Sequence, residues 1–180
     1  MRSILTTARL RLRPFIAADA PRMAEIQGTW NVTRMLRMAP WPPRTDAMAS
    51  WISTMAGEWQ EGTAYRFAVD VEGRLAGACD VDGIAAGTGD LGYWFDEPYW
   101  GCGIAREAAR AVVDFSFDDL DLECLTSGHA ADNPASGRVL LSLGFRHTGD
   151  GEVFSTPRGE MIKQRWYRVE RNAQPGRHAP

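Results

Sequence analysis

The sequence predicts an α+β fold: a mixed sheet of about seven strands with about four helices packed on it, in a single domain. Three observations carry that prediction. Short apolar runs, alternating or rich in β-branched and aromatic residues, recur along the chain and read as strands. Runs with apolar residues at helical spacing stand between some of them. The stretch 90–109, DLGYWFDEPYWGCGIAREAA, joins a strand-like run to a helix-like run through glycines. Taken together, the element order is βααβββαβαββ.

Residues 9–15 alternate, with Leu10 and Leu12 on one face of a half-buried strand and Arg9, Arg11 and Arg13 on a solvated one. Asp19 and Pro21 read as the cap and first turn of a helix over 20–27 that buries Met23 and Ile26. Residues 30–43 are irregular, and more apolar than a plain surface loop requires. They are either packed on the core or a wall of a substrate cleft. Thr45 or Asp46 caps a second helix, in which Met48, Trp51, Ile52, Met55 and Trp59 fall at core spacing.

Residues 65–71 and 74–81 form a hairpin across Glu72 and Gly73. Residues 83–89 read as a loop and 91–95 as the next strand. A turn with Pro98 then leads through Gly101-Cys102-Gly103-Ile104-Ala105 into a helix over 106–117. Ala108, Ala109, Val112, Val113 and Phe117 give that helix a face of mostly small apolar residues. Residues 123–129 are a strand. Asn133 caps a helix with Val139, Leu140 and Leu143 as its apolar positions, ended by Gly144. Residues 145–148 and 163–169 are the last strands, with a polar connection over 149–159. The domain is expected to span 1–172, followed by a disordered tail over 173–180.

A strand, a glycine turn and a helix N-terminus in succession suit a phosphate. The first N–H groups of a helix have no intrahelical partner and lie at the positive end of its dipole. Glycine lets an anion approach the main chain closely. Residues 100–106 are therefore a candidate site for a phosphorylated cofactor.

Composition narrows the remaining classes. The chain has 180 residues, is 44% hydrophobic and 24% charged, and carries a formal charge of −3. That balance argues against a general nucleic-acid binder. No run approaches the roughly 18–20 apolar residues of a membrane span, and no signal-peptide-like stretch opens the chain. A cytoplasmic protein with no membrane partner is expected. Cys79, Cys102 and Cys124 are far apart, so neither a disulfide framework nor a metal site is indicated. Cys102, near a helix start, is a tolerated turn residue or a thiol of raised reactivity.

Several motifs now stand in order: Thr7-Ala-Arg-Leu-Arg-Leu-Arg-Pro, Trp41-Pro-Pro, Gly92-Tyr-Trp-Phe, Tyr99-Trp-Gly-Cys-Gly-Ile-Ala, Asp132-Asn-Pro-Ala-Ser and Leu143-Gly-Phe-Arg. Over about residues 6–170 the chain resembles the GNAT superfamily of N-acetyltransferases, in the branch that acetylates the N-termini of ribosomal proteins. The resemblance implies α/β/α layers around a mostly antiparallel sheet, and acetyl-CoA as co-substrate without a metal. It implies that the amides of Gly101, Cys102, Gly103, Ile104, Ala105 and Arg106 hold the diphosphate. Trp100 stands where the superfamily pattern begins with Gln or Arg. The main chain of Trp94 and Phe95 would pair with the pantetheine arm, Asn133 would contact it, and Arg138 would meet the adenosine phosphate.

The implied reaction is attack of an amine on the acetyl thioester. A main-chain N–H near Phe95 is placed to meet the carbonyl oxygen as it gains charge. Ser136, three residues after Asn133 as in the family's Asn-x-x-Ser, is the candidate acid, or a structural helix serine. Asp90 is the candidate base, on one strand face with Gly92 and Trp94, with a bridging water to make up its short reach. Asp80, Asp82, Glu97, His129 and His147 compete with it. The acceptor is a protein N-terminus or a small-molecule amine, met by Trp30 and Trp41; the protein is a monomer or homodimer. Two further readings remain open: a CoA-binding sensor without turnover, because no base is unambiguous, and a dinucleotide-binding oxidoreductase. The latter lacks the third glycine of its motif.

Overall fold

A computed structural model describes residues 3–173. The strands are β1 (Leu5–Thr6), β2 (Leu10–Pro14), β3 (Tyr65–Val71), β4 (Arg74–Ala85), β5 (Thr88–Phe95), β6 (Cys124–Ala130), β7 (Arg146–Ser155) and β8 (Glu160–Glu170). They form one sheet in the order β1-β2-β3-β4-β5-β6-β8-β7. Every neighbouring pair is antiparallel except β5 and β6. The helices are α1 (Ala20–Gln27), α2 (Trp30–Thr33), α3 (Thr45–Glu61), α4 (Ile104–Asp118) and α5 (Pro134–Ser142).

Strand alternation divides the core into two layers, one on each sheet face. Phe67, Val69, Cys79, Leu91 and Phe95 point to the face covered by α4 and α5, where Ala108, Ala109, Val112, Val113 and Leu140 pack. Ala68 and Ala78 point to the other face, under Met23 and Ile26 of α1 and Met48, Ile52 and Met55 of α3. Small residues along α4 let it lie close to the centre of the sheet. That fixes its N-terminus beside the end of β5, where the glycine turn must deliver it.

Several expectations are corrected. Residues 5–6 add a short strand at the sheet edge, and residues 30–33 form one helical turn within the segment expected to be irregular. The expected loop over 83–89 is mostly strand: β4 and β5 continue to a tight turn at Ala86 and Gly87. The expected connection over 149–159 is largely ladder, with Gly151 opposite Gln164 and Ser155 opposite Glu160. That hairpin is polar because most of its side chains remain in solvent, so hydrophobic pattern could not mark it. The N-cap of α3 is Arg44, and Asp46 accepts from Arg44 Nε at 3.0 Å. The arginines of β2 are not all solvated. Arg13 pairs with Asp19 and with Asp70, both at 2.7 Å, which draws Asp19 away from capping α1. Of the expected tail, 174–180 lies outside the described residues.

Candidate functional site

The site begins where β5 and β6 part. The two strands pair as parallel neighbours only as far as Asp90 and Thr126. Beyond that point a cavity of about 500 Å³ opens between Tyr93, Trp94 and Phe95 of β5 and Gly128 and His129 of β6. The start of α4 and the first two turns of α5 close one end of it.

Ladder geometry decides which main-chain groups face the gap. Asp96 N–H donates to Ala76 O at 2.9 Å, and the register sets Ala78 opposite Trp94 and Asp80 opposite Gly92. Hydrogen-bonded pairs alternate along an antiparallel ladder. Trp94 and Gly92 therefore commit their N–H and C=O to β4, while Leu91, Tyr93 and Phe95 turn theirs toward β6. Leu91 O accepts from Ser127 Oγ at 2.7 Å, and Phe95 O accepts from Trp100 Nε1 at 2.8 Å. The main-chain donors that face the gap beyond the last β5–β6 pair are Tyr93 N–H and, at the end of β5, Phe95 N–H. The expectation for Trp94 is corrected accordingly: the residue lines the cavity, but its main-chain N–H and C=O belong to the β4 ladder.

The glycine turn has the form the sequence suggested. Gly103 is the N-cap of α4 at φ 81° with no side chain capping the helix, a conformation glycine adopts without strain. The first N–H that α4 satisfies internally is that of Glu107, to Gly103 O at 3.0 Å. Gly101, Gly103, Ile104, Ala105 and Arg106 all line the cavity, as do Trp100, Asn133, Ser136 and Arg138. Asn133 caps α5, its Oδ1 accepting from Ser136 N–H at 3.3 Å. Ser136 Oγ lies 2.8 Å from the hydroxyl of Tyr93, which also donates to Ser136 O at 3.0 Å. Burial pushes the Tyr93 hydroxyl well above the ordinary tyrosine range.

Four expected site residues lie outside the cavity lining: Cys102, Asp90, Trp30 and Trp41. Cys102 is exposed, its thiol turned to Trp100 O. Asp90 accepts from Thr126 Oγ1 at 2.8 Å, and burial raises its carboxyl above the usual range. It stands five residues before Phe95, about 17 Å along the strand. Trp30 and Trp41 meet edge to face at 5.0 Å. The residues of that segment that reach the wall are Val32, Met35 and Leu36. Asp80, a competing carboxylate, is pushed up to about 6 by burial, although Arg66 Nη1 donates to it at 2.8 Å. His129 is buried against Tyr167, and His147 pairs with Asp150 on the surface.

Sequence reading missed Tyr93 and the ion pairs that hold the Val32–Leu36 wall in place. Asp132 accepts from Arg34 at 2.7 Å and from both Nη1 and Nη2 of Arg158 at 3.0 Å, while Arg158 Nε donates to Arg34 O at 2.7 Å. Tyr93 could have been found from its place in the strand pattern. The ion pairs join residues 98 and 26 positions apart in the chain and left no local signal.

The cavity suits a CoA thioester on its own geometry. Its volume falls in the range of small-molecule sites. One end has an uncapped helix start flanked by Arg106 and Arg138, suited to phosphates. Its middle has a strand edge with an available amide and apolar walls.

Comparison with known proteins agrees. The Acetyltransferase (GNAT) domain family model matches residues 9–146. The N-acetyltransferase p20 of Bacillus licheniformis is 27% identical over 164 residues, covering 88% of this chain and 90% of that protein. The ribosomal-protein-serine acetyltransferase of Escherichia coli is 28% identical over 120 residues, covering 64% and 67%. Mycobacterium smegmatis RimJ, solved in complex with CoA-disulfide, superposes with a TM-score of 0.85 at 20% identity, covering 92% of this chain and 84% of that one. The matched family model, spread over the sheet, the glycine turn and α5, makes this chain a member of the GNAT acetyltransferase family.

Proposed function

We propose that this acetyltransferase takes acetyl-CoA in the cleft between β5 and the α4 turn and acetylates the α-amine of a protein N-terminus. The observation that carries the acceptor half is the exposure of residues 30–41, the segment that sends Val32, Met35 and Leu36 to the cavity wall. Trp30 and Trp41 are each 41% exposed and Met38 is 68% exposed. Sites for small molecules enclose most of the ligand; an open shelf of aromatic and sulfur side chains beside a cavity suits a chain end with residues following it. The ribosomal-protein-serine acetyltransferase among the relatives supports the same reading. So does the cytoplasmic location that goes with it: Cys79, Cys102 and Cys124 are all free thiols.

Bound acetyl-CoA would supply an acetyl group on a thioester, open to attack by an amine. The chain's own residues bind, orient and handle protons. The amides of the turn, from Gly101 to Arg106, hold the diphosphate, and Arg138 meets the adenosine end. Cys102 contributes main chain alone. Phe95 N–H faces the thioester carbonyl and stabilises its oxygen as charge develops. Asn133 contacts the pantetheine arm. Ser136 would donate a hydrogen bond to the sulfur as it leaves; Tyr93, whose hydroxyl donates to Ser136 O and lies 2.8 Å from Ser136 Oγ, holds the serine in place for that bond. Neither hydroxyl surrenders its proton outright, because a thiol of pKa about 8.5 is far more acidic than either. Asp90 stands too far along β5 to take the ammonium proton, which passes to solvent instead.

The test is thiol release from acetyl-CoA with matched peptides, one with a free N-terminus and one blocked, beside a panel of small amines. Turnover on the free peptide alone is expected. Faster turnover on a small amine would overturn the acceptor assignment. Tight CoA binding with no turnover on any amine would favour the sensor reading, which the distance of Asp90 from Phe95 keeps in play.

A further inference from the structure

We propose that Arg9 orients the glycine turn for the diphosphate, acting through the Cys102 carbonyl, and that Glu107 holds Arg9 in place to do so. The inference rests on the acetyl-CoA reading above and assigns two residues to it that stand outside the cavity.

The geometry is a chain of four links. Thr7 Oγ1 donates to Glu107 Oε1 at 2.6 Å, and Arg9 N–H donates to the same oxygen at 3.0 Å. Arg9 Nε donates to Glu107 Oε2 at 2.7 Å, with Nη2 at 2.6 Å from that oxygen. This fork leaves Nη1 to donate to Cys102 O at 2.9 Å. A Cβ added at Gly103 would lie 3.4 Å from Arg9 Nη2, so the guanidinium rests directly against the turn.

Peptide planarity turns that contact into an orientation. The C=O and N–H of one trans peptide point in opposite directions. With Cys102 O held toward Arg9, the N–H of Gly103 is directed away from it. Gly103 lines the cavity, whereas Arg9 stands outside the lining. The arginine therefore backs the turn, and the amide it orients faces the place for the anion. Were that peptide to rotate, a carbonyl oxygen would face the diphosphate instead, and the two would repel.

The arrangement also resolves an electrostatic conflict. Glu107 sits in the first turn of α4, close to where two phosphates would lie. An uncompensated carboxylate there opposes anion binding, and Arg9 neutralises it. Stability alone does not account for the cluster. The Arg9 side chain is 47% exposed, and exposed ion pairs contribute little to stability. Arg9 is a positioning residue: Nε, Nη1 and Nη2 are all engaged by protein groups.

The experiment measures CoA affinity by calorimetry on the full chain for the wild type, Arg9→Ala, Arg9→Lys and Glu107→Gln. It also compares kcat/KM for acetyl-CoA and for S-acetylpantetheine, which keeps the thioester and lacks the diphosphate. Arg9→Ala and Arg9→Lys should each weaken CoA binding roughly tenfold, the loss of one charge-assisted hydrogen bond. Lysine keeps the charge but cannot reach Glu107 and Cys102 O as a fork. Glu107→Gln loosens the hold on Arg9 and also removes the charge that opposes the anion; the lost hold should dominate and weaken binding about threefold, and as a near-isostere this variant carries the test if the Arg9 variants fold poorly. Rates with S-acetylpantetheine should stay unchanged in every variant. Wild-type affinity in Arg9→Lys would overturn the positioning role, as would a parallel loss with S-acetylpantetheine. Wild-type protein that does not bind CoA would overturn the acetyl-CoA reading itself, and this proposal with it.

Discussion

The wall of the cavity proposed for the cofactor and the wall proposed for the acceptor differ in how far apart in the chain their parts lie. The first is made of two short stretches, 93–106 and 133–138, each a strand end or turn running into a helix. The second places Val32, Met35 and Leu36 by way of Arg34, Asp132 and Arg158, contributed by three separate connections. A stretch set by local geometry takes its form from its own turn and helix, although the sheet must still bring the two stretches together. A wall set by distant ion pairs exists only when the sheet has brought its parts together. The difference predicts that the two can be damaged separately.

The largest separation should come from Gly103→Asp. It places a carboxylate in the turn at a left-handed φ of 81°. CoA affinity should fall about a hundredfold or more from charge repulsion and lost approach; calorimetry measures it, and unchanged affinity would remove the turn from the site. Ser136→Ala should come next. A drop of about 10–100-fold in kcat with CoA affinity unchanged is expected for a lost proton-donating hydrogen bond. Tyr93→Phe should cost less, and combining the two should cost little more than Ser136→Ala alone, because both act on one hydroxyl.

Asp132→Asn tests the other wall. Losing its ion pairs to Arg34 and Arg158 should raise KM for the peptide acceptor by about three- to tenfold, while KM for acetyl-CoA stays within about twofold. Equal changes in both constants would merge the two walls into one unit. In the wild type, Arg158 and Arg34 hold the Asp132 carboxyl below the usual range. Its contribution is therefore present above the unfolded pKa and is lost as pH falls through the lower folded one.

The smallest effect concerns Asp80, on the sheet face that bears Gly92. Its folded pKa of about 6 lies above the unfolded value of 3.8. The folded state holds that proton more tightly, so stability falls as pH rises from about 4 to about 6. Urea unfolding of Asp80→Asn should lack that component, a difference of about 2 kcal/mol across the interval. Identical pH slopes would mean that Arg66 compensates fully.

Much of this molecule was legible before folding was considered. Leu10 and Leu12, the α3 stripe of Met48, Ile52 and Met55, and the run 91–95 declared their elements, because burying one face imposes a period on the residues that form it. Asn133 and Gly103 declared helix starts, because those backbone positions favour particular residues. What failed to show had no such imprint. The β7–β8 hairpin is held by main-chain pairing with its side chains largely in water. Arg9, Arg11 and Arg13 look alike in the alternating strand, yet Arg9 grips Glu107 and Arg13 sits between Asp19 and Asp70.

By itself, then, the amino-acid order determined the mixed sheet and the strand–glycine–helix passage, since each rests on periodicity or on local backbone preference; the family showed through the resemblance of its motifs, taken in order. The tertiary structure decided that Phe95 rather than Trp94 offers its main chain, that Asp90 stands away from the cavity, and that Tyr93 meets Ser136. Those depend on ladder register and on where a strand pair separates. Register is a property of two strands together, and a single strand's residues do not encode which of its amides will be left facing the gap.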